Sequence, residues 1–394
     1  MNDSTKYDIL PNQREQQDLT RVPNPFTHNF QPIQKTFGVQ SILVTDLVIF
    51  LANCQLKNLF GDITFDINTF CQKMGYNRAN LQRKLSEEDK KQIYALGEEL
   101  PVYTNQTGTH IIENYFETAL WHATQKRLMM QKSYPVDDKT KIAKTAFIGV
   151  NLLEGFEINS DFSTKKSIRK TYTVKLGSGI KDYLITEYSL IELNDYNKLP
   201  NVLSYKVFYL YLCRIRILIQ YKEDTNQEPI YNVSVDDLAK VFNYAISEPK
   251  DRKKFVKNTL DKINSYLTIG KFAYEFTGKG KYKYNVRFTF STEVLKYFDE
   301  KTRAVFFKEL YDRLGIEYIG MIEPNLSRRE RMVKFKEIIG LQDSDNRLTE
   351  RERFWQWFSS DDNRTLKQSI YNKVYYDIFQ ISPDDPYSQN IFLK

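Results

Sequence analysis

Hydrophobic residues follow two different periods along this chain. Three stretches carry apolar side chains at every third or fourth position, which predicts helices over residues 42–59, 109–130 and 203–221. Residues 267–276 and 281–290 alternate apolar and polar side chains on either side of a glycine-rich turn, which predicts a β-hairpin. The chain therefore combines helices with short strands, and its predicted fold class is α+β.

The first predicted helix is followed by short elements with clear boundaries. Residues 63–67 have the pattern of a strand. Asp66 or Asn68 is placed to cap a helix over residues 69–74, and Gly75 is placed to end it. The other elements predicted in this half, besides the long helix, are a charged helix and three strands, over residues 80–97, 144–153, 156–160 and 170–176.

The second half repeats this order of elements. After the helix over 203–221 come a strand-like segment at Val233, a short helix capped by Ser234 or Asp236, and a helix over residues 251–266 that leads into the hairpin. Helix, strand, helix, turn, helix and hairpin is the order of a winged-helix (helix-turn-helix) domain. We therefore expect two winged-helix domains in tandem, although no residue-level identity relates the two halves.

Four segments follow from these patterns. The first 40 residues are rich in Asn and Gln and contain four prolines, which favours an irregular arm. The last hundred residues are amphipathic and predict helices. The irregular N-terminal arm, the first winged-helix domain, the second winged-helix domain and the helical accessory region are predicted over residues 1–40, 41–200, 201–291 and 292–394.

Positive charge is concentrated in one segment. The whole chain carries a formal net charge of +7. Residues 250–290 alone hold eleven basic side chains against three acidic ones, an excess of eight. The remainder of the chain is therefore close to neutral, and this segment has the electrostatic footprint of a surface that meets an acidic partner.

The helix over residues 251–266 is the best candidate for contact with DNA. Val256, Leu260 and Ile263 are spaced to face the core, so the opposite face is expected in solvent. A helix fits the major groove of B-DNA, where Lys and Asn can read base edges, while lysines on a wing reach phosphates. The candidates on this helix are Lys253, Lys254, Lys257, Asn258 and Asp261, and those on the wing are Lys279, Lys281 and Lys283.

A second, less basic candidate surface lies on the predicted helix 109–130. Its polar face offers Asn114, His122, Gln125, Lys126 and Arg127 for contact with DNA. The competing interpretation for both helices is a charged face that only meets solvent, which is the usual fate of a run of charges. Their place in the order of elements favours DNA, and more strongly for the second helix than for the first.

Several stretches resemble the replication initiator (Rep) proteins of iteron-containing plasmids. In the first half the likeness lies in residues 116–120 (Phe-Glu-Thr-Ala-Leu), 126–129, 172–176 and 180–184. In the second half it lies in residues 188–190, 199–211, 255–264 and 287–290. The likeness spans about residues 110–290. The pair Val207-Phe208 departs from the Ile-Arg of many relatives, and the last hundred residues have no counterpart in the family.

The resemblance implies more than the residue patterns do. It implies two winged helices related by a pseudo-dyad that bind directly repeated sites in double-stranded origin DNA as monomers. It also implies melting of nearby DNA and recruitment of a host initiator and helicase. A homodimer, formed through the first domain, is implied to bind an inverted repeat and repress the protein's own gene.

An enzyme is the alternative from a different class, namely a rolling-circle nickase, which needs a His-x-His metal pair. The three histidines, His28, His110 and His122, contain no such pair. On the predicted helix the last two would lie about 18 Å apart, too far to share a metal. The cysteines are scattered without a CxxC pair, which excludes an ordinary zinc site, and the phosphate-binding GxxxxGK[ST] motif is absent. We expect no catalytic residue, no metal and no cofactor.

A transcription regulator with the same fold is the other alternative, and the sequence hardly separates it from an initiator. The first residues lack the pattern of a signal peptide, and no apolar run approaches the roughly 20 residues that a membrane span needs. These observations predict a cytoplasmic protein without membrane contact. The DNA target, the host, the oligomeric state and the role of residues 292–394 do not follow from the sequence.

Overall fold

The computed structural model describes residues 19–379, with gaps at residues 29, 56–61, 95–98, 106–107, 134–144, 162–168, 187, 221–228, 242–247, 279–283 and 341–347. The described residues form two compact units. One lies between Asp18 and Val294 and contains both predicted halves, and the other begins at Leu295. Helices and small sheets occur together in the chain, so the α+β class is confirmed.

The N-terminal segment is part of the folded structure. It forms one strand and two helices, β1 (Leu19–Pro23), α1 (Asn24–His28) and α2 (Gln31–Phe37). Strand β1 is buried and pairs antiparallel with β9 (Tyr188–Glu192). Pro32 lies in the first turn of α2, where the missing proline N–H leaves no helical hydrogen bond unmade. The predicted irregular arm is therefore wrong for residues 19–40, and residues 1–18 lie outside the described part of the chain.

The remaining helices of the first half are α3 (Ser41–Gln55), α4 (Ile67–Met74), α5 (Arg78–Gln82), α6 (Glu87–Ile93), α7 (Tyr115–Gln125), α8 (Ser178–Thr186) and α9 (Leu193–Lys198). The strands before β9 are β2 (Ile63–Asp66), β3 (Val102–Asn105), β4 (Gly108–Ile111), β5 (Arg127–Ser133), β6 (Thr145–Asn151), β7 (Leu153–Asp161) and β8 (Arg169–Leu176). The predicted limits of α4 are confirmed. The Asp66 side chain accepts a hydrogen bond from the Thr69 N–H at 2.8 Å, and Gly75 ends the helix at φ 71°.

Two predicted helices of the first half differ from the structure. The long helix over 109–130 is interrupted, because β4 pairs with β3 before the helix and β5 pairs with β6 after it. Asn114 fixes the start of the shorter helix α7 by accepting a hydrogen bond from the Glu117 N–H at 2.8 Å. The charged helix over 80–97 is divided into α5 and α6, since Ser86 opens α6 with a capping box.

The second half contains α10 (Leu203–Gln220), β10 (Tyr231–Ser234), α11 (Val235–Val241), α12 (Pro249–Tyr266), β11 (Ala273–Thr277) and β12 (Asn285–Thr289). The predicted helices and the hairpin are confirmed, while the hairpin tip, residues 279–283, lies outside the described residues. Strand β11 begins at Ala273 and not at residue 267, because residues 268–270 form a turn that a buried carboxylate holds.

The two halves arrange their strands in the same order. In the first half β8 lies between β2 and β7, and in the second half β12 lies between β10 and β11. In each half, therefore, the strand that precedes a short helix (β2 or β10) pairs with the strand of its sheet that comes last in the chain (β8 or β12). The predicted boundary near residue 200 falls in the short connection between α9 and α10, inside one compact unit.

A buried carboxylate joins the first half to α9 and α10. Asp46 of α3 accepts hydrogen bonds from the hydroxyls of Tyr76, at 2.6 Å, and Tyr196, at 2.5 Å. Lys206 of α10 places its Nζ 3.7 Å from Asp46 and 3.8 Å from the centre of the Tyr196 ring. Burial, and then the Asp46 charge, raises the pKa of Tyr196 well above its ordinary value. The tyrosines therefore stay protonated and act as donors.

A second buried carboxylate, which belongs to α9, contacts the second half of the chain. Asp195 is fully buried, and its oxygens accept hydrogen bonds from three consecutive backbone N–H groups. These belong to Thr268 at 2.8 Å, Ile269 at 3.0 Å and Gly270 at 2.6 Å, in the turn directly after α12. Because Tyr196 is its neighbour in sequence, the six-residue helix α9 is bonded to both halves at once.

Replacing Asp195 with Asn tests this connection. An amide keeps one acceptor but turns an NH₂ group toward backbone N–H donors, so we expect the free energy of unfolding to fall by about 2–3 kcal/mol. Urea unfolding measures this loss, and hydrogen exchange should speed up at residues 268–270. The matched control is Asp62→Asn, at an exposed position before β2. Equal stability of the two variants would contradict the assignment.

In the described part of the C-terminal unit, all regular secondary structure is helical. It contains α13 (Thr292–Ile322), whose first turn belongs to the preceding unit, and α14 (Arg328–Ile339), α15 (Leu348–Ser359) and α16 (Arg364–Phe379). Tyr318, Phe335 and Phe354 form its core, with Trp355 and Trp357 packed around them. The helical prediction for this region is confirmed in the part that the structure describes, and its tryptophans pack against other aromatic rings.

One stretch of the first half has the length and composition of a membrane span. In the described part of the chain, residues Gln31–Cys54 are long and apolar enough to meet that test, so the expectation that no such run exists is wrong. Its apolar window is 78% buried inside the structure. Core helices of soluble proteins meet the same test, and the packing of α2 and α3 agrees with that interpretation.

Candidate nucleic-acid interface

Helix α12 has one face in the core and the other in solvent. Val256, Leu260 and Ile263 are fully buried, and Leu267 is buried directly beyond the helix, as their spacing predicted. The exposed face carries Lys250, Lys254, Lys257, Asn258, Asp261 and Lys262. This polar stripe covers nearly the whole helix and is rich in cations.

The predicted side chains on this stripe differ in their partners. Lys257 forms an ion pair with Asp261 one turn further on, with an Nζ–Oδ2 distance of 2.9 Å. Lys254 has no carboxylate within ion-pair distance among the described residues, and Asn258 is exposed beside it. Lys254 and Asn258 therefore present free polar groups, while Lys257 has only a surface ion pair, which contributes little.

Asp261 is tied to the hairpin. Its carboxylate accepts hydrogen bonds from the Tyr274 hydroxyl on β11 and from Lys257. These two hydrogen bonds, that of Tyr274 first, lower the pKa of Asp261 below its ordinary value. The carboxylate thus orients both neighbours, and its direct contact with DNA stays a prediction.

Lys253 does not lie on the open face as predicted. Its Nζ sits 4.8 Å from the centre of the Phe276 ring and 4.2 Å from that of Tyr284, so the ammonium is held between the two arms of the hairpin. The side chain is half-buried. The side chain therefore joins α12 to the hairpin. The prediction that Lys253 extends into a major groove is wrong for this position, because its ammonium is directed at the hairpin rings.

The hairpin itself is described only up to its tip. The predicted wing lysines, Lys279, Lys281 and Lys283, lie outside the described residues. At the base, Arg287 of β12 stands directly opposite Glu275 of β11 and forms an ion pair with it at 2.9 Å. The charge of Arg287 is therefore already balanced within the sheet.

Helix α7 lacks the open polar face that its sequence predicted. Asn114 is buried as the cap of the helix, and His122 is 1% exposed, with its Nδ1 2.9 Å from the Gln40 side-chain oxygen. The predicted DNA contacts of Asn114 and His122 are therefore wrong, because both side chains serve the interior. Burial lowers the pKa of His122 from 6.5 to about 4, so the imidazole is neutral at pH 7.

The other three candidates of the first half lie at the end of α7. Gln125 and Arg127 are exposed and Lys126 is half-buried. They share only the last turn of the helix and the start of β5, which is a much smaller surface than the stripe on α12. Their contact with DNA stays a prediction.

A buried polar network explains why α7 has so little free surface. Glu117 is fully buried and lies 2.6 Å from His110 Nε2, 2.9 Å from Lys170 Nζ and 3.2 Å from the Tyr172 hydroxyl. Burial raises the pKa of Glu117, but the charge and hydrogen bond of Lys170, together with the hydrogen bonds of His110 and Asn114, leave that pKa lowered overall. The apolar residues on both sides of Glu117, in the run from Phe116 to Ala123, were the sequence signal that this face is interior.

The described residues offer no catalytic metal site. No group of three His, Cys, Asp or Glu side chains among them could hold a metal ion. His110 lies on β4 and His122 on α7, so the expectation that they share one helix is wrong. None of the three cysteines, which all lie in the described part of the chain, forms a disulfide, and Cys71 and Cys213 are buried.

Comparison with known proteins adds no relative. No protein-family model matches this chain, and no curated protein matches it. A function for it must therefore be argued from the stripe on α12, the hairpin beside that helix and the arrangement of the two halves.

The buried histidine predicts a pH dependence. His122 stays neutral in the folded protein down to about pH 4, whereas the unfolded chain binds a proton below about pH 6.5. The free energy of unfolding should therefore fall as pH drops from 6.5 to 4, with His122 contributing about 2–3 kcal/mol of that loss. His122→Leu should flatten this dependence in urea titrations, whatever its own stability. If the free energy of unfolding depended on pH equally in His122→Leu and in the wild type, the imidazole would not be buried in its neutral form.

The aromatic clasp, in which the Lys253 ammonium lies between the rings of Phe276 and Tyr284, predicts that two neighbouring lysines differ in their effect on hydrogen exchange in the hairpin. Lys253→Ala should weaken the docking of the hairpin by about 1 kcal/mol, because a cation between two rings is lost. Faster amide hydrogen exchange in β11 and β12 would report this weakening. Lys254→Ala, one residue along and exposed, is the matched control and should leave exchange unchanged. Equal exchange in both variants would refute the clasp.

Proposed function

We propose that this chain is a sequence-specific double-stranded DNA-binding protein that initiates plasmid replication. In this proposal it is built from two winged-helix domains related by a pseudo-dyad, residues 41–200 and 201–291, with a helical accessory region after them. It binds origin repeats and recruits host replication proteins in the cytoplasm, and it catalyses no reaction itself.

The arrangement of elements supports the winged-helix assignment. Each half has a long helix, a strand, a short helix and a further helix in that order, and further helices and strands of the first half precede β7 and β8. In each half the central strand of the three-stranded sheet, β8 or β12, is the strand of that sheet that comes last in the chain. This shared order favours two copies of one architecture, which suits DNA with repeated or paired sites.

The exposed stripe of α12 is the observation that carries the proposal. Lys254, Lys257 and Asn258 lie on one solvent face of an 18-residue helix whose other face is core. A helix of this kind fits the major groove, and Lys and Asn are side chains that read base edges there. The hairpin fastened to it by Lys253 is placed to meet the adjoining phosphates.

Electrostatics favours the same surface. Residues 250–290 carry an excess of eight positive charges in a chain whose net charge is +7. Two ion pairs in this segment, Lys257–Asp261 and Arg287–Glu275, use two of its three acidic residues. Arg252 pairs with Asp236, outside the segment, at 2.9 Å. The segment still has an excess of positive charge, which attracts polyphosphate and releases counterions on binding.

Replication initiation rests on the resemblance to plasmid Rep proteins. That resemblance supports binding to directly repeated sites as a monomer, melting of nearby DNA, and contact with a host initiator and helicase. It also supports a homodimer that represses its own gene. A transcription regulator would share the DNA contacts but not the replication, so an origin-dependent replication assay separates the two.

Binding to DNA is tested first with the full-length chain. The probes are the duplex upstream of its own gene, the adjoining origin segment and a scrambled duplex of equal length, each titrated with salt. We expect tight, phased binding to repeats and a steep salt dependence. Equal, weak binding to all three duplexes would overturn the proposal and leave only a basic surface.

Two substitutions on α12 should act differently. Lys254→Ala should weaken binding to every duplex and lower the salt slope by up to about 0.9 units, because one cation on the major-groove face no longer helps to displace counterions. Asn258→Ala should instead change the preference among sequences by about 1–3 kcal/mol. The control is Lys336→Ala, an exposed lysine on α14. If neither variant on α12 differs from this control, α12 is not the interface.

A further inference from the structure

The first half contains a tight helix-turn-helix outside α7. Helix α4 ends at Gly75 in the left-handed conformation, and α5 begins after Asn77, whose side chain accepts a hydrogen bond from the Ala79 N–H at 2.8 Å. Three residues separate the two helices. A turn of three or four residues containing glycine is the usual connection in DNA-binding helix-turn-helix motifs.

The place of α4 and α5 in the first half matches that of α11 and α12 in the second. Helix α4 follows β2, and α11 follows β10, and both strands pair with the last strand of their sheets. Both helices begin immediately after that strand. The next helix is α5 in the first half and α12 in the second. Topology thus makes α5 the counterpart of the candidate recognition helix.

Exposure supports α5 over α7. Arg78, Ala79 and Asn80 are all exposed, and Leu81 anchors the helix in the core. Asn68 on α4 is exposed as well. Along α7, in contrast, exposure is confined to its C-terminal end. The first half therefore presents polar side chains to solvent at the α4–α5 turn.

The chemistry of this surface is that of base recognition. Arg78 donates from Nε to the Gln82 side-chain oxygen at 2.6 Å and from Nη1 to the Asn68 side-chain oxygen at 3.2 Å. Among the described residues no carboxylate lies within ion-pair distance of this guanidinium. The cations that follow are neutralised, since Arg83 pairs with Asp89 and Lys84 with Glu113.

Two amides thus hold one uncompensated arginine in an exposed position. A guanidinium can bind the O6 and N7 atoms of guanine with two hydrogen bonds, and Asn can do the same with adenine N6 and N7. One guanidinium without a carboxylate partner, flanked by neutral amides, fits hydrogen bonding to base edges better than binding along the phosphate backbone, which favours several cations.

We propose that Asn68, Arg78 and Asn80 form the base-reading surface of the first half, in place of the α7 residues. This inference rests on the proposed function and gives the chain a second reading helix beside α12. The partner is the edge of a base pair in double-stranded DNA, with guanine opposite Arg78.

The test uses the full-length chain and a duplex enriched by it from a random-sequence pool. Hydroxyl-radical footprinting of the wild type should show two protected segments about one helical turn apart. Arg78→Ala should lose one segment and bind about 5- to 100-fold more weakly. Arg78→Lys should keep part of the affinity but lose preference for guanine, since an ammonium is a point charge without the planar fork.

Matched variants make the outcomes distinct. Gln92→Ala, at an exposed position on α6, should leave both segments protected, and Asn258→Ala should disturb only the segment that the Arg78 variants retain. Thermal unfolding followed by circular dichroism checks that Arg78→Ala remains folded. If Arg78→Ala and Arg78→Lys bind like the wild type while the α12 variants fail, the inference is wrong and the proposed function stands. If the α12 variants also bind normally, α12 is not the interface either. If the wild type enriches and protects no duplex, the proposed function itself fails.

Discussion

The structure of the larger unit depends on one buried carboxylate, that of Asp46. A charge taken out of water is costly unless it is compensated, and here two tyrosine hydroxyls donate to it and the Lys206 ammonium lies 3.7 Å away. These three groups come from the segment after α4, from α9 and from α10. Removing any one would weaken the compensation of the buried charge, so the carboxylate favours joint assembly of the first half, α9 and α10. The junction is thus specified by polar geometry as well as by apolar packing.

Helix α9 turns that requirement into a rigid link. Tyr196 bonds to Asp46 on one side, and Asp195 bonds to the turn after α12 on the other. Adjacent residues of a six-residue helix cannot move independently, so the orientation of α12 relative to α3 follows from the geometry of α9. For the proposed DNA binding, such a link would set the distance between the two proposed reading surfaces before DNA is bound, so that little ordering entropy is lost on binding.

Local features were predictable from the sequence, and long-range ones were not. The Asp66 cap, the stop at Gly75 and the core stripe of α12 depend on neighbours within one or two turns, and all three are confirmed. The error at α7 arose because periodicity counts apolar residues, whereas Glu117 and His122 are buried with polar partners brought from Lys170 and Gln40. Likewise Lys253 looked exposed on a helical projection, since nothing in the spacing reveals the rings that the hairpin places over it.

The N-terminal strand shows a similar limit and has a consequence for synthesis. Composition suggested an irregular arm, yet β1 pairs with β9, nearly the whole first half away along the chain. Its partner strand leaves the ribosome only after everything between them has been made. Until then β1, which packs on α3, lacks the strand with which it pairs. Completion of the first half therefore coincides with the emergence of α9, so the domain closes and its link to the second half forms in the same stage of translation.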